Sequence, residues 1–239
     1  MTTAANPDAG ASVLLTVAKR PQPGQTKTRL HDGFSPAEAA QIYHCLLLDT
    51  FRLMAQAPAA RPVVAFTPDD ADGFFRALVP PHFELLAQRG RDLGERLSHA
   101  LGHFLALPGV RHAVIMNSDG PTLPAAYLHE AFAALAQADV VLGPGVDGGY
   151  YLIGMSRLHR GLFENITWST DLVLGETLTR AQALGLSVHL LPTWYDVDFA
   201  DDLRRLLADG PAAAPATYAY VAGLRPAWLE AGSPARPGV

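Results

Sequence analysis

Seven short apolar runs punctuate the chain: "SVLLTV" (12–17), "PVVAFT" (62–67), "FELLAQ" (83–88), "HAVIMN" (112–117), "DVVLGP" (139–144), "YYLIGM" (150–155) and "SVHLLP" (187–192). Their length and β-branched content fit strands better than helices. Between most of them lie segments of helical period. "SPAEAAQIYHCLLLDTFRLMAQA" opens on Ser35, Pro36 and Glu38, a capping box with proline at the first helical position, where its missing N–H costs nothing. "LGERLSHALGHFLAL" puts Leu93, Leu97, Leu101 and Phe104 on one face, and "PAAYLHEAFAALAQ" and "DLVLGETLTRAQALG" behave alike, the last stopping at Gly185. Strand alternating with helix predicts an α/β fold, a mostly parallel central sheet with helices on both faces.

A chain of 239 residues, 49% hydrophobic, can fill a single domain of this class. Its expected span is 12–209, after a flexible N-terminus (1–11) and before an Ala/Pro/Gly-rich C-terminal tail (210–239) that packs in part through Tyr218, Tyr220 and Trp228. The net charge of -5 argues against a nucleic-acid partner, so cations clustered locally point to a small anionic ligand. Cys45 is the single cysteine, which excludes an internal disulfide and suits a reducing compartment, with the thiol a buried small hydrophobe. No apolar run approaches the roughly 18 residues needed to cross a bilayer, and the first residues lack a basic-then-apolar signal. The expectation is a cytoplasmic, soluble protein with no membrane partner.

Ligands of open α/β sheets bind beyond the carboxyl ends of the strands, so residues just after strands carry the chemistry. "VAKRPQPGQTKTRL" (17–30) follows the first strand with Lys19, Lys27 and Arg29 on a Pro/Gly loop. Backbone N–H groups, a point-charge lysine and a forked arginine can together hold a phosphate. The stretch is not a Walker A loop, since Thr26 and Pro21 stand where that pattern needs glycines; an ordinary solvated loop would carry the same charges. "NSDGPTLP" (117–124) places Asp119 at a strand end, where a carboxylate can hold Mg²⁺ or Mn²⁺ or simply form the turn. In "GPGVDGGYYLIG" (143–154) the glycines let backbone approach a ligand, and Asp147 can take a proton from an acceptor hydroxyl; a plain hairpin predicts the same glycines. In "WYDVDFADDLRRLL" (194–207) alternation aims Asp196 and Asp198 to one side, where they could share a cation with Asp119. Asp198 is equally well placed to cap the following helix. His99 and His103, one helical turn apart, lack the glutamate and third ligand of a zinc site, and no GxSxG elbow is present.

Taken in order, "AKRPQPGQTKTRL", "QRGRDLGERLSHAL", "NSDGPTLP", "GPGVDGGYYLIG", "NITWST" and "DVDFADDL" resemble the bacterial DUF2064 family, glycosyltransferase-like proteins of GT-A fold, some associated with arsenosugar biosynthesis. The resemblance spans about residues 12–208. It implies a single-domain nucleotide-diphospho-sugar transferase fold, related to nucleotidyltransferases such as 2-phospho-lactate guanylyltransferase. On this chain it implies that Lys19, Lys27 and Arg29 hold a diphosphate and that Asp92, Leu93, Gly94 and Arg96 lie near the base or ribose. Asp147, Gly148, Gly149 and Tyr150 would face the acceptor, with Trp168, Ser169 and Thr170 as an acceptor-side loop. Asp119, Asp196 and Asp198 would bind Mg²⁺ or Mn²⁺, with Asp119 and Asp147 at the reaction centre. Two departures stand out: the usual "DVDTPEDL" reads "DVDFADDL", and the usual DxD reads Asn117-Ser118-Asp119, with one carboxylate.

The implied function is a metal-dependent transferase that uses a nucleotide-diphosphate sugar to glycosylate a small-molecule acceptor. Nucleotidyl transfer from a nucleoside triphosphate, with release of pyrophosphate, is the alternative, and a non-catalytic nucleotide-sugar binder is a further one. Tyr150, Tyr151 and Trp168 near the acceptor loops, and the lack of Lys or Arg in 143–156, favour a sugar face over a phosphorylated acceptor.

Overall fold

The computed structural model describes residues 11–57 and 60–225. Seven strands form one sheet: β1 (Ser12–Lys19), β2 (Ala60–Thr67), β3 (Glu84–Ala87), β4 (His112–Met116), β5 (Val140–Pro144), β6 (Tyr150–Met155) and β7 (Val188–Leu190). Each falls on one of the apolar runs read from the sequence. Among the described residues, seven α-helices connect and flank them: α1 (Pro36–Met54), α2 (Asp72–Leu78), α3 (Leu93–Leu105), α4 (Ala125–Ala134), α5 (Val173–Ala183), α6 (Ala200–Asp209) and α7 (Pro215–Leu224).

The strand order is β3-β2-β1-β4-β6-β5-β7, and every neighbouring pair is parallel except those made by β6. β6 must reverse because only residues 145–149 separate it from β5, and a parallel return needs a dozen or more residues. The hairpin expected from "DGG" is therefore formed. The reversal brings the start of β6 to the edge where the parallel strands end. Leaving β1, the chain adds β2 and β3 on one side and then crosses to add β4 on the other. β1 and β4 thus flank the switch point, where a crevice opens because their connections run to opposite sides.

Side-chain alternation along the strands divides the core into two layers. Leu14 joins Ile42 and Leu46 of α1, Phe75 of α2, Leu128 of α4, Leu203 of α6 and Val221 of α7. Val13 and Leu15 face the other way, toward Leu97, Leu101 and Phe104 of α3 and Ala181 of α5. Leu93 departs from the face expected for α3: it is 40% exposed, because it starts the helix at the sheet edge and looks into the crevice instead of the core. The capping box of α1 is present, Ser35 Oγ accepting from Glu38 N–H at 3.2 Å and Glu38 Oε2 from Ser35 N–H at 2.7 Å. No helix among the described residues is long and apolar enough to cross a membrane.

Two helices lack a legible period in the sequence. α2 is short and contains Gly73. α7 lies within the Ala/Pro-rich segment after residue 209; it packs on α1, with Tyr218 and Tyr220 partly buried against the core, while Trp228 lies outside the described residues. α7 starts on a buried carboxylate: Asp49 of α1 accepts from the N–H groups of Ala216 (3.0 Å) and Thr217 (2.8 Å) and from Thr217 Oγ1 (2.8 Å). A carboxylate suits the orphan donors and positive end of a helix N-terminus. Asp49→Ala strands these donors, and we expect a loss of about 2–4 kcal/mol of folding stability. Urea unfolding followed by circular dichroism would measure it; a change below about 0.5 kcal/mol would show that α7 docks without this anchor.

Candidate functional site

The loop after β1 is shaped by a local staple. Thr26 Oγ1 donates to Gln22 O (3.1 Å) and accepts from Gln22 N–H (3.2 Å), and Lys19 Nζ donates to Gln25 O (3.0 Å). Lys27 then takes a left-handed backbone (φ 50, ψ 45), which turns its side chain inward across the switch point. The side chain is 8% exposed, and its ammonium lies 2.6 Å from Asp119 Oδ2 and 2.7 Å from Asp198 Oδ1. Arg29 Nη1 meets the other oxygen of Asp198 at 2.8 Å and stacks over Phe199. Burial works against the Lys27 charge, but Asp119 and Asp198 outweigh it and hold its pKa above the ordinary lysine range. Burial likewise pushes Asp198 up, and Lys27 and Arg29 outweigh it, so its carboxyl titrates below the usual range.

Asp119 stands just past β4, its turn held by Thr50 Oγ1 donating to Ser118 O (3.2 Å) and by the Tyr43 and Ser118 hydroxyls at 2.9 Å. The segment carrying Asp196 and Asp198 is drawn alongside: Trp194 N–H donates to Pro144 O (3.0 Å) and Val197 N–H to Asp119 O (2.9 Å). Carboxylate oxygens of Asp119, Asp196 and Asp198 consequently lie within 4.8 Å of one another, the arrangement anticipated from the alternation of 196 and 198. Asp198 does not cap α6. That task falls to Asp202, whose Oδ2 accepts from the N–H groups of Asp198 (3.0 Å) and Phe199 (2.7 Å).

The donor set fits a hard divalent cation. All three ligands are carboxylates, and Asp119 Oδ1 is buried without a hydrogen-bond partner, which is costly for an anionic oxygen unless something else satisfies it. Burial pushes the Asp196 carboxyl up to about 7, and the charges of Asp119 and Asp198 add to the effect.

Two cavities meet at this cluster. The smaller, about 300 Å³, is lined by Lys19, Gln25, Thr26, Lys27, Thr28, Arg29 and Tyr43 together with Asp119 and Asp198. The larger, about 450 Å³, is bounded by Asp147, Tyr150 and the loop Trp168–Asp171, and it shares Arg29, Asp119 and Asp198 with the smaller. Asp147 Oδ1 accepts from Gly149 N–H (3.0 Å), which aims the turn. Tyr150 offers its ring, since its hydroxyl is buried and its pKa is raised by that burial. Gly148 (φ +85) packs under the Trp168–Asp171 loop, where an added Cβ would come within 2.2 Å of Asp171 O.

The "RDLGER" residues divide. Leu93 lines the larger cavity, while Asp92 caps α3 through Glu95 N–H (2.8 Å) and Arg96 Nε donates to Gly90 O (3.2 Å). Gly94 serves as a seat for Trp168: a Cβ there would come within 2.7–2.9 Å of three indole atoms. Sequence reasoning missed Tyr43, Asn117, Asp171 and Trp194, which also line the cavities. Asn117 sits in a quoted motif, but Tyr43 and Asp171 carry no local signal. His99 and His103 stack on each other on α3, away from the carboxylate cluster.

The family model described as "Uncharacterized protein conserved in bacteria (DUF2064)" matches residues 50–170. The chain belongs to the DUF2064 family. Among solved structures, this DUF2064 protein is similar to one from Desulfovibrio desulfuricans G20, provisionally described as a nucleotide-diphospho-sugar transferase. The TM-score is 0.84 at 31% identity, covering 93% of this chain and 98% of the other. The manganese complex of Rv0371c from Mycobacterium tuberculosis H37Rv matches with a TM-score of 0.54 at 19% identity, covering 83% and 98%. CMP:2-keto-3-deoxy-manno-octonic acid synthetase complexed with CTP matches with a TM-score of 0.51 at 11% identity, covering 82% and 96%. The last two share the fold. No curated protein matches the sequence. The α/β architecture is that of the nucleotide-diphospho-sugar transferases, as the sequence motifs imply.

Two outcomes follow from this geometry. A carboxyl raised to about 7 must lose its proton before it can ligate a cation, so Mn²⁺ affinity should rise with pH up to about 7 and level off above it. Below that point the fall is about tenfold per pH unit for one proton, read by calorimetry in two buffers of different ionisation enthalpy. Gly94→Ala should leave the helix intact but unseat Trp168, changing tryptophan emission. The change should vanish in a Trp168→Phe background, and its persistence there would place the disturbance elsewhere.

Proposed function

We propose that this DUF2064 protein is a metal-dependent glycosyltransferase that takes a nucleotide-diphosphate sugar as donor and a small hydroxyl-bearing molecule as acceptor. The observation that carries this reading is the unequal charge of the two joined cavities. The smaller gathers Lys19, Lys27 and Arg29, as a diphosphate requires. In the larger, Arg29 is the single Lys or Arg among the lining residues, and it is bonded to Asp198. The occupant of the larger cavity therefore meets carboxylates and the faces of Trp168 and Tyr150, which suit the hydroxyls and apolar face of a sugar and disfavour a phosphate.

Asp119, Asp196 and Asp198 would hold Mg²⁺ or Mn²⁺, which when bound neutralises charge developing on the diphosphate. The manganese complex of Rv0371c supports a divalent ion in this fold. The lysines and Arg29 bind and orient the phosphates, and Trp168 with Leu93 screens the sugar from water. Asp147, fixed by Gly149 N–H, accepts the proton of the attacking hydroxyl as the new C–O bond forms and the sugar–phosphate C–O bond breaks. The products are the glycosylated acceptor and a nucleoside diphosphate.

Nucleotidyl transfer is the second reading, favoured by the same three cations, which would serve a departing pyrophosphate equally well. The relative complexed with CTP is alike in fold alone, so it does not choose between them. Product analysis does. With Mn²⁺, a panel of nucleotide sugars and triphosphates and a cell extract as acceptor source, we expect nucleoside diphosphate from a sugar donor, abolished in Asp119→Asn. Pyrophosphate from a triphosphate, with no diphosphate from any sugar donor, would establish the second reading.

A further inference from the structure

The oxygens that a divalent ion would use are already in contact with a side chain of the protein. Lys27 Nζ touches Asp119 Oδ2 and Asp198 Oδ1, two members of the carboxylate triad. Mg²⁺ approaches carboxylate oxygens to about 2.0–2.1 Å, so an ion and an ammonium on these atoms would compete for the same space and lone pairs. Two cations pressed together in a largely buried site also repel strongly. Lys27 and the ion are alternative occupants.

The smaller cavity can bring Lys27 a second partner. The side chain lines it with Lys19, Thr26, Thr28 and Arg29, and Asp119 and Asp198 line it too, so the cavity opens directly onto the ion pair. The left-handed backbone that aims Lys27 inward is uncommon for a residue with a Cβ, and it brings the ammonium onto two carboxylates that themselves border the cavity. Diphosphate oxygens entering this cavity offer the ammonium the same charge-assisted bonds that it makes to the carboxylates.

We propose that Lys27 is a tethered counter-ion of the triad, exchanged for the divalent ion when a diphosphate enters and draws its ammonium across. Lys27 is then a positioning residue that couples the two ligands. Metal alone binds weakly because it must displace the ammonium, phosphate alone must strip Lys27 from two carboxylates, and each ligand removes the penalty for the other. This rests on the triad being the cation site, as in the proposed function.

The test uses Mn²⁺ alone, titrated without nucleotide and read by the electron paramagnetic resonance of the free ion. Wild type, Lys27→Met, Lys27→Gly and Asp119→Asn are compared. Lys27→Gly keeps the left-handed backbone without strain and guards against a methionine variant that misfolds. Both Lys27 variants should bind Mn²⁺ about tenfold or more tightly than wild type, because the competing charge is gone. Pyrophosphate alone, followed by calorimetry, should bind both variants about tenfold or more weakly, because its lysine contact is lost. Misfolding would weaken both ligands and cannot produce opposite signs. Unchanged or weaker Mn²⁺ binding in both Lys27 variants, with binding present in wild type and lost in Asp119→Asn, would overturn the exchange while leaving the triad as the cation site. No Mn²⁺ binding to any of the four proteins would overturn the exchange and the cation site together.

Discussion

The contact of Lys27 with Asp119 and Asp198 joins three segments that the chain delivers separately: the loop after β1, the end of β4, and the stretch before α6. Three carboxylates within 4.8 Å repel one another, and a buried ammonium offsets that repulsion. The rest of the site is disposed around this arrangement. The cavity that holds Lys19 and Lys27 and the one that holds Asp147, Tyr150 and Trp168 meet at Asp119 and Asp198, and Arg29, bonded to Asp198, lines both. Without the switch point between β1 and β4, the lysine and Asp119 would not stand on adjacent strand ends.

Much of this was legible in the sequence because it depends on local rules. The strands announced themselves by short β-branched runs, α1 by its capping box, and the β5–β6 hairpin by a turn too short for a crossover. Asp196 and Asp198 sharing a side is a consequence of strand alternation, and their meeting with Asp119 follows from strand ends gathering on one edge. What was hidden depends on distance. Tyr43 and Asp171 reach the cavities only after α1 and the 166–172 loop have docked, and nothing adjacent in the chain marks them. Asp198 offered two roles of equal local merit; the choice was made by Lys27 and Arg29, far upstream, with Asp202 taking the cap. α7 had no legible period because its alanine and tyrosine residues form no amphipathic stripe, and its anchor, Asp49, lies far back in α1.

Trp168 links the 166–172 loop to the first turn of α3. Its indole rests on Gly94, and the loop is tied from below by Thr167 N–H and Oγ1 donating to Glu176 at 2.6 and 2.9 Å. Leu93 and Trp168 therefore form one wall, although they come from segments that the motifs assign to different ligands. A donor and an acceptor bound together would share this wall, which is a physical route for each to sense the other.

The reversed strand has a consequence for how such a protein can diversify. Because β6 returns directly beside β5, the turn at 145–149 is a short bracket on the rim of the site, tied to its neighbours by Val146 N–H donating to Trp194 O (3.1 Å) and Leu174 N–H to Gly148 O (2.9 Å). The side chains of Val146 and Asp147 can change without altering the path of any helix crossover, whereas Gly148 is fixed by its closeness to Asp171. The loop after β1 has no such freedom, since it keeps Lys27 over the carboxylates. Selection for a change on this rim would find its raw material in the bracket, while the Lys27 side of the site stays the same.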